Sequence, residues 1–249
     1  MAEKKRRSDT LVIIPAYKEA GRIKHVIRGI RESTSDLDIL VVDDGSPDGT
    51  AREAMEAGAL VASHPLNLGY GVAVQTGFKY ARRNGYAYVV QIDGDGQHEP
   101  RCIQDLLAAV HEPDVDIAMG SRWLGLTEYH GPILRKFGKF FFGFLATSLT
   151  QHQVTDPTTG FQAMTSDVVD FFCTDVYPVD YPDANVIIML DRAEFRIREV
   201  PVIMYRDDSG QSMHAGLLRP VFYGLKMMMS IGMTLLRDDR KIRKGTAHV

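Results

Sequence analysis

The sequence predicts an α/β fold in which helices flank a mostly parallel central sheet. Two observations support this prediction. Short apolar runs, rich in β-branched residues, alternate with helical stretches through the first half of the 249-residue chain. These runs are apolar at successive positions, which is typical of strands buried on both faces of a parallel sheet. In sheets of this kind, ligands bind at the carboxyl ends of the strands.

The predicted strands cover residues 11–14, 39–42, 59–62, 88–92 and 115–119. The helices between them cover about residues 20–32, 50–57, 70–83 and 100–110. The third helix ends at Asn84-Gly85, a typical C-terminal cap. Beyond residue 125 we predict a phenylalanine-rich helix, a second helix and a late strand, at residues 133–149, 183–193 and 195–204. No repeat or linker interrupts residues 1–213, which we expect to form one domain.

Residues 214–249 are predicted to be an amphipathic helix with a basic tail. Apolar residues recur there every three or four positions and form one stripe: Leu218, Phe222, Leu225, Met229, Met233 and Leu236. Arg219 and Lys226 interrupt the segment, and a charge at the centre of a bilayer costs at least about 2.5–3.5 kcal/mol. Basic residues follow the stripe. We therefore expect a helix lying on an anionic membrane surface rather than a membrane span, with ordinary packing on the domain as the alternative.

The composition narrows the class of protein. An apolar fraction of 45% and a charged fraction of 24% are ordinary for a soluble globular protein. The net charge of −3 comes without any nucleic-acid-binding signature, so we expect no nucleic-acid partner. Cys102 and Cys173 show no metal or redox spacing, and the N-terminus shows no secretory signal. These features favour a reduced, cytoplasmic protein.

Two carboxylates one residue apart follow the fourth predicted strand. Asp93 and Asp95 stand directly after the buried run at 88–92, where oxygen ligands can hold Mg²⁺ or Mn²⁺. Such a cation keeps coordination positions free for phosphate oxygens, which indicates a phosphate-bearing substrate. A plain polar turn is the alternative. An EF-hand is excluded, because His98 stands where that loop requires glycine.

Other strand ends carry polar residues that should reach the same edge of the sheet. Tyr17 follows the first strand and offers a flat face for stacking, and Asp44 follows the second and can accept hydrogen bonds from a ribose or base. Arg122 follows the fifth, and its guanidinium suits phosphate. Each segment alone is a weak signal, whereas their joint position at successive strand ends is difficult to explain as a set of turns.

Five motifs together resemble the family 2 glycosyltransferases. They are Val-Ile-Ile-Pro-Ala-Tyr-Lys-Glu, Val-Val-Asp-Asp-Gly-Ser-Pro-Asp-Gly-Thr, Asp-Gly-Asp-Gly-Gln-His-Glu-Pro, Gly-Ser-Arg and the segment from Asp156 to Phe161. The resemblance covers about residues 10–213, implies the GT-A fold, and is strongest for the polyprenyl-phosphate (dolichol-phosphate mannosyltransferase-like) branch. Gly94 departs from the family's usual Asp-Ala-Asp.

The resemblance implies a role for each matching residue. The nucleotide would be held by Pro15, Tyr17, Glu19, Val42, Asp44, Asp93 and Gly94. The Mg²⁺ or Mn²⁺ ion would be bound by Asp95 and Gln97, with Asp93. The acceptor phosphate would be bound by Arg122, Arg135, Arg206 and Ser212. The catalytic set would be Asp93, Asp95, Arg122 and Asp156, with Asp156 orienting the sugar or an arginine.

The implied reaction is the inverting, metal-dependent transfer of a hexose from a UDP- or GDP-sugar to undecaprenyl or dolichyl phosphate at the cytoplasmic face of a membrane. A phosphate monoester has a second pKa of about 6, so it can attack without a catalytic base. A small membrane-protein partner or a homo-oligomer stays open. Two alternatives also stay open: a hydroxyl acceptor in cell-surface polysaccharide synthesis, and an inactive sugar-nucleotide-binding subunit.

Two other enzyme classes are excluded. A sugar nucleotidyltransferase would carry a glycine-rich, arginine-containing loop after its first strand, where this chain has Pro-Ala-Tyr-Lys-Glu. A Rossmann dehydrogenase would need a third glycine or alanine after Gly69-Tyr70-Gly71.

Overall fold

A computed structural model of the chain describes residues 8–34, 36–124, 143, 145–150, 154–180, 182–205 and 218–246, with residues 218–223 described as backbone alone. Its centre is a seven-stranded sheet in the order β3-β2-β1-β4-β6-β5-β7. The strands are β1 (Thr10–Ala16), β2 (Asp38–Asp43), β3 (Leu60–Ser63), β4 (Tyr88–Gln91), β5 (Ile117–Ser121), β6 (Gln162–Thr165) and β7 (Ile197–Pro201). Neighbouring strands are parallel except at β6, which runs antiparallel to both β4 and β5.

Helices cover both faces of this sheet. They are α1 (Ile23–Ser33), α2 (Thr50–Glu56), α3 (Tyr70–Arg83), α4 (Cys102–Val110), α5 (Ser166–Phe172), α6 (Ala184–Arg192), α7 (Leu218–Leu236) and α8 (Asp239–Thr246). Because successive side chains of a strand point to opposite faces, β1 contributes to two apolar layers. Val12 and Ile14 pack in the layer that includes α1 and α4, whereas Leu11 and Ile13 pack in the layer that includes α3, α5 and α6. The predicted α/β class is confirmed.

Four elements differ from the prediction. The sequence did not reveal β6 and α5, because Gln162–Thr165 is only four residues long and mixes polar with apolar side chains. The late strand is shorter than the predicted 195–204, since β7 ends at Pro201. Part of the predicted basic tail is helical and forms α8. Of the predicted helix at 133–149, the described residues 143 and 145–149 are helical.

The C-terminal helices pack on the domain. Met227 and Ile231 of α7 are buried against Ala184 and Ile188 of α6. The opposite face of α7 exposes an apolar stripe: Leu225, Met228, Met229, Met233, Leu235 and Leu236. None of the described helices is both long enough and apolar enough to cross a membrane. The predicted boundary between residues 213 and 214 lies outside the described residues.

Charged contacts hold α8 in place. Asp239 has no exposed side-chain surface and lies 3.4 Å from both Arg192 and Arg237. The guanidinium of Arg243 lies 3.8 Å from the ring centroid of Phe195. Arg240 Nε lies 3.2 Å from Glu194 Oε1. Several cations that the sequence suggested for an anionic membrane surface are therefore engaged with the protein itself.

Candidate active site

The loops that follow β1 and β2 are joined by hydrogen bonds at the carboxyl end of the sheet. The backbone N–H of Lys18 donates to Ser46 Oγ at 3.0 Å, and that of Glu19 donates to Thr50 Oγ1 at 2.9 Å. Asp48 accepts from both the N–H and the hydroxyl of Thr50, which fixes the start of α2. The two loops therefore form a continuous edge next to the end of β4.

The predicted nucleotide-binding residues lie along this edge in different environments. Tyr17 is 41% exposed, and the Lys18 ammonium lies 5.1 Å from its ring centroid. Pro15 and Val42 are buried, and the side chain of Val42 packs in the apolar core. Only the backbone of Val42 could therefore contact a nucleotide.

Asp44 organises the segment between β3 and α3. Its carboxylate accepts hydrogen bonds from the N–H groups of Leu68 and Gly69, both at 2.9 Å, and lies 2.7 Å from His64 Nδ1. Since both oxygens already have partners, Asp44 shapes the loop before α3. Its direct contact with a ribose or base stays a prediction.

Glu19 turns toward the two carboxylates at the end of β4. Burial raises the pKa of Glu19 to about 7, against the charge of Arg22 and with support from the charges of Asp95 and Asp93. Arg22 lies 2.7 Å from its Oε2. Glu19 therefore belongs to the same electrostatic cluster as Asp93 and Asp95.

Asp93 is enclosed by three neighbours. The hydroxyl of Tyr70 donates to its Oδ1 at 2.8 Å, and His98 Nε2 lies 3.2 Å from its Oδ2. A Cβ atom on Gly160 would lie 2.7 Å from Oδ2. Burial works against ionisation, but the contacts from His98 and Tyr70 and the charge of Arg122 outweigh it and lower the pKa of Asp93. Asp93 is consequently ionised at neutral pH.

Asp95 forms a pair with Gln97. The Gln97 backbone N–H donates to Asp95 Oδ1 at 2.9 Å, and its side-chain amide donates to Oδ2 at 2.6 Å. Burial and the neighbouring charge of Asp93 raise the pKa of Asp95, although Gln97 opposes the rise. Two carboxylates that repel each other this closely are typical of a site that binds a cation.

The donor set fits a hard divalent cation. Asp93 and Asp95 offer carboxylate oxygens, and a half-turn of the Gln97 amide would present its oxygen in place of its nitrogen. Among the residues that the structure describes, no group of three or more His, Cys, Asp or Glu side chains could hold a metal ion. A cation at this corner would therefore complete its coordination with phosphate oxygens and water, as Mg²⁺ commonly does.

Gly94 sits between the two carboxylates and the loop after β1. A Cβ atom at this position would lie 3.3 Å from the Pro15 carbonyl oxygen and 3.5 Å from Glu19 Cγ. The alanine that is usual in the family would thus fit with a shift of a few tenths of an ångström. Gly94 leaves slightly more space beside Glu19.

Arg122 is held at the end of β5 by a buried carboxylate. Asp156 is fully buried, and its Oδ2 accepts hydrogen bonds from Arg122 Nε at 2.5 Å and from the Arg122 backbone N–H at 3.3 Å. Glu199 on β7 fixes the turn that carries Asp156, because its carboxylate accepts hydrogen bonds from the backbone N–H groups of Thr155 and Asp156, both at 2.9 Å. Asp156 was expected to orient either the sugar or an arginine, and in the structure its carboxylate contacts Arg122.

The structure thus brings Glu19, Asp93, Asp95, Gln97 and Arg122 to one rim. Arg135, Arg206 and Ser212 lie outside the described residues. Sequence reasoning missed four residues that support the rim: Tyr70, Gln91, Gly160 and Glu199. The one available signal was that Gly160 lies within the segment from Asp156 to Phe161, one of the five motifs that carry the family resemblance.

Comparison with known proteins agrees with this arrangement. Residues 11–172 match the family model described as Glycosyl transferase family 2. The chain is 29% identical to an undecaprenyl-phosphate mannosyltransferase of Micrococcus luteus, over 83% of this chain and 87% of that protein. It is 27% identical to a UDP-N-acetylglucosamine–dolichyl-phosphate N-acetylglucosaminyltransferase of Methanococcus voltae, over 90% of this chain and 97% of that protein.

Solved structures give the fold. Glucosyl-3-phosphoglycerate synthase from Mycobacterium tuberculosis, crystallised with Mn²⁺ and UDP-glucose, superposes with a TM-score of 0.67 at 20% identity, covering 91% of this chain and 79% of that one. This likeness confirms the GT-A fold. The family match extends over more than half of the chain, from β1 to α5. The protein is therefore a glycosyltransferase that belongs to glycosyl transferase family 2.

Proposed function

We propose that this enzyme transfers a hexose from a UDP- or GDP-sugar to a polyprenyl phosphate, with inversion at the anomeric carbon and with Mg²⁺ or Mn²⁺ as cofactor. One observation is the main support: Arg122, held by buried Asp156, lies on the same rim as Asp93 and Asp95. An arginine next to a carboxylate pair suits a site that must align two anionic substrates. The names of the two relatives, which include undecaprenyl phosphate and dolichyl phosphate, support the acceptor class.

The residues divide the work according to charge. A bound divalent cation would offset the negative charge that develops on the departing nucleoside diphosphate. Asp93 and Asp95 would provide its carboxylate ligands, and Tyr17 would provide a stacking surface for the base. Arg122 neutralises the acceptor phosphate and directs it to the face of the sugar opposite the leaving group. Attack from that face inverts the anomeric centre.

No base is required for this reaction. The second pKa of a phosphate monoester is about 6, so the acceptor is largely ionised at neutral pH. Asp156 is unsuited to act as a base, because it is fully buried and bonded to Arg122. A hydroxyl acceptor would need a base, and Glu19, whose pKa is raised to about 7, is the residue we would assign to it.

The site is proposed to work at the cytoplasmic face of a membrane. The apolar stripe on α7 supports contact with a membrane surface, because five of its side chains, Leu225, Met228, Met229, Met233 and Leu236, are 45% to 90% exposed. Exposed apolar side chains on one side of a helix are typical of an interfacial helix. A small membrane-protein partner or a second copy of the chain stays a prediction.

The reaction can be tested with purified protein, Mn²⁺, undecaprenyl or dolichyl phosphate, and a panel of labelled UDP- and GDP-sugars. We expect a butanol-extractable, chelator-sensitive product with at least one donor. Labelled product on a free alkyl alcohol but not on the lipid phosphate would favour the hydroxyl acceptor. Binding of UDP or GDP without transfer from any donor would favour an inactive subunit.

A further inference from the structure

Tyr70 and Gln91 form a hydrogen-bonded chain that ends on Asp93. Tyr70 is the first residue of α3, whereas Asp93 follows β4, so the chain joins a helix to a strand end. The Gln91 amide donates to the Tyr70 hydroxyl at 2.9 Å, and the hydroxyl donates to Asp93 Oδ1 at 2.8 Å. Neither residue belongs to the motifs that predicted the site.

The direction of this chain is fixed. The amide nitrogen of Gln91 can only donate, so the Tyr70 oxygen accepts from it and uses its own proton toward Asp93. Gln91 is 3% exposed, so water does not replace this partner. Because the hydroxyl accepts from Gln91, it directs its own proton toward Asp93.

The other sides of Asp93 are also occupied. His98 lies against Oδ2, and its ring centroid is 5.0 Å from that of Phe161. Gly160 approaches so closely that a Cβ atom there would lie 2.7 Å from Asp93 Oδ2 and 2.8 Å from the Tyr70 hydroxyl. The carboxylate is 25% exposed. Its remaining lone pairs are thus confined to one orientation.

We propose that Tyr70 is a positioning residue, which holds the Asp93 carboxylate in the orientation that binds the divalent cation, and that Gln91 orients Tyr70 in turn. Partners behind a metal-binding carboxylate commonly change metal affinity or activity about 10- to 100-fold when they are removed. The claim that Tyr70 contributes to sugar transfer rests on the proposed function. The claim that Tyr70 contributes to cation binding does not depend on the proposed function.

The test compares Tyr70→Phe with Tyr86→Phe. Tyr86 is a matched control, because its hydroxyl donates to Asp38 Oδ2 at 3.1 Å in another buried Tyr–Asp pair. Asp38 begins β2, so this pair lies at the end of the sheet opposite the site. Affinity for Mn²⁺ is measured from the electron paramagnetic resonance signal of the free ion, with and without UDP or GDP. Folding is measured by urea denaturation.

We expect Tyr70→Phe to weaken Mn²⁺ binding about 10-fold and to lower kcat by a similar factor, with the KM of the lipid acceptor unchanged. Tyr86→Phe should lower stability and leave Mn²⁺ affinity as it is in the wild type. Equal Mn²⁺ affinity in Tyr70→Phe and the wild type would overturn the assignment. An equal loss in both tyrosine variants would also overturn it, since the effect would then be general destabilisation.

Gln91→Leu provides a second measurement if Tyr70→Phe does not fold. This change keeps similar volume and removes the amide, so the Tyr70 hydroxyl loses the partner that orients it. We expect Mn²⁺ affinity to fall about 3-fold, less than in Tyr70→Phe. Unchanged affinity in a folded Gln91→Leu protein would contradict the role of Gln91. Failure of the wild type to transfer sugar would remove the proposed function and leave the Mn²⁺ comparison valid.

Discussion

The Asp156 carboxylate holds both the side chain and the backbone of Arg122. One carboxylate oxygen accepts from Arg122 Nε and from the Arg122 N–H, and no part of Asp156 is exposed. A buried carboxylate with these partners restricts the guanidinium to a single orientation. Glu199 secures the turn that carries Asp156, which makes the position of Arg122 depend on three separate segments of the chain.

Asp156→Asn should impair acceptor recognition. The amide would hold the guanidinium less firmly in its orientation, so we expect kcat/KM for the lipid acceptor to fall about 100-fold. It would also leave the buried charge of Arg122 unpaired, so the free energy of unfolding should fall by about 3 kcal/mol. Asp116→Asn is the control, because Asp116 is another buried carboxylate paired with an arginine, here the half-exposed Arg196 at 2.6 Å, at the other end of β5. Steady-state kinetics and urea denaturation separate the two effects. If Asp116→Asn reduced kcat/KM equally, the loss would be due to stability.

The strand-end carboxylates could be predicted from the sequence because the relevant signal is local. Asp93 and Asp95 directly follow an apolar run, and parallel strands end at the same edge of a sheet. Tyr70 could not be found in this way. It reads as an ordinary helix residue, and its contact with Asp93 depends on how α3 packs on the sheet.

The prediction for Val42 shows a second limit. The family motif implies nucleotide binding by Val42, which stays a prediction, and because its side chain is fully buried in the core, only its backbone could make that contact. A motif identifies a segment, whereas the alternation of side chains along β2 decides which of its members face the ligand. Glu199 was missed for a related reason: within β7 it reads as a solvent-facing residue, and its partners come from a turn more than forty positions earlier.

Asp95→Asn should abolish cation-dependent turnover without unfolding the protein. Asp95 is destabilised by burial and by the charge of Asp93, so the neutral amide should keep or slightly increase stability in the absence of metal. We expect kcat to fall at least about 1000-fold and Mn²⁺ to lose its stabilising effect in thermal unfolding. Asp114→Asn, at an exposed aspartate paired with Arg198, should change neither property. A turnover equal to that of the wild type would refute the ligand role of Asp95.

Glu19 should give the protein a distinctive pH dependence. Its pKa is raised from 4.5 to about 7, first by burial, so the folded state binds a proton that the unfolded state has released. The contribution of Glu19 to stability is therefore full below pH 4.5 and is lost as the pH rises through about 7. The total loss is at most about 3.5 kcal/mol, since one unit of pKa corresponds to about 1.4 kcal/mol.

Glu19→Gln should remove this slope, so the variant should gain stability relative to the wild type as the pH rises from 4.5 to about 7, the interval between the two pKa values. The measurement is the free energy of unfolding in metal-free buffer at several pH values. Glu56→Gln is a control of opposite sign, because a hydrogen bond from Lys24 lowers the pKa of Glu56. That variant should lose stability at neutral pH and match the wild type in acid. Parallel curves for Glu19→Gln and the wild type would contradict the raised pKa.

Gly160→Ala should disturb the predicted metal site at Asp93 through steric contact alone. The new methyl group would lie 2.7 to 2.9 Å from the Asp93 carboxylate and the Tyr70 hydroxyl, so these groups must separate. We expect a loss of about 10-fold or more in both Mn²⁺ affinity and kcat. Gly232→Ala is the matched control: its methyl group would meet nothing within 4 Å, and alanine favours the helix by about 0.5–1 kcal/mol. Wild-type activity in Gly160→Ala would show that the site tolerates movement of the Asp93 carboxylate and the Tyr70 hydroxyl.

The apolar stripe on α7 should determine membrane binding. Met229 and Met233 are 70% and 64% exposed and lie one turn apart, whereas Met227 on the other face is buried. Burying a methionine side chain fully is worth about 1.5–3 kcal/mol, so replacing both exposed residues by glutamate should reduce partitioning onto lipid vesicles at least about 10-fold. Met55→Glu, at a methionine that is 57% exposed on α2, should leave binding unchanged.

The sedimentation of protein with vesicles, combined with transfer to lipid phosphate in the same vesicles, distinguishes docking from catalysis. We expect the double variant to lose both in vesicles and to recover transfer in detergent, because α7 contacts the domain through its buried face. In the wild-type protein, Arg240, Lys241 and Arg243 of α8 already contact other residues of the protein. The wild type should therefore keep much of its vesicle binding when the vesicles contain only neutral lipids. Undiminished sedimentation of the double variant would show that another surface holds the enzyme on the membrane.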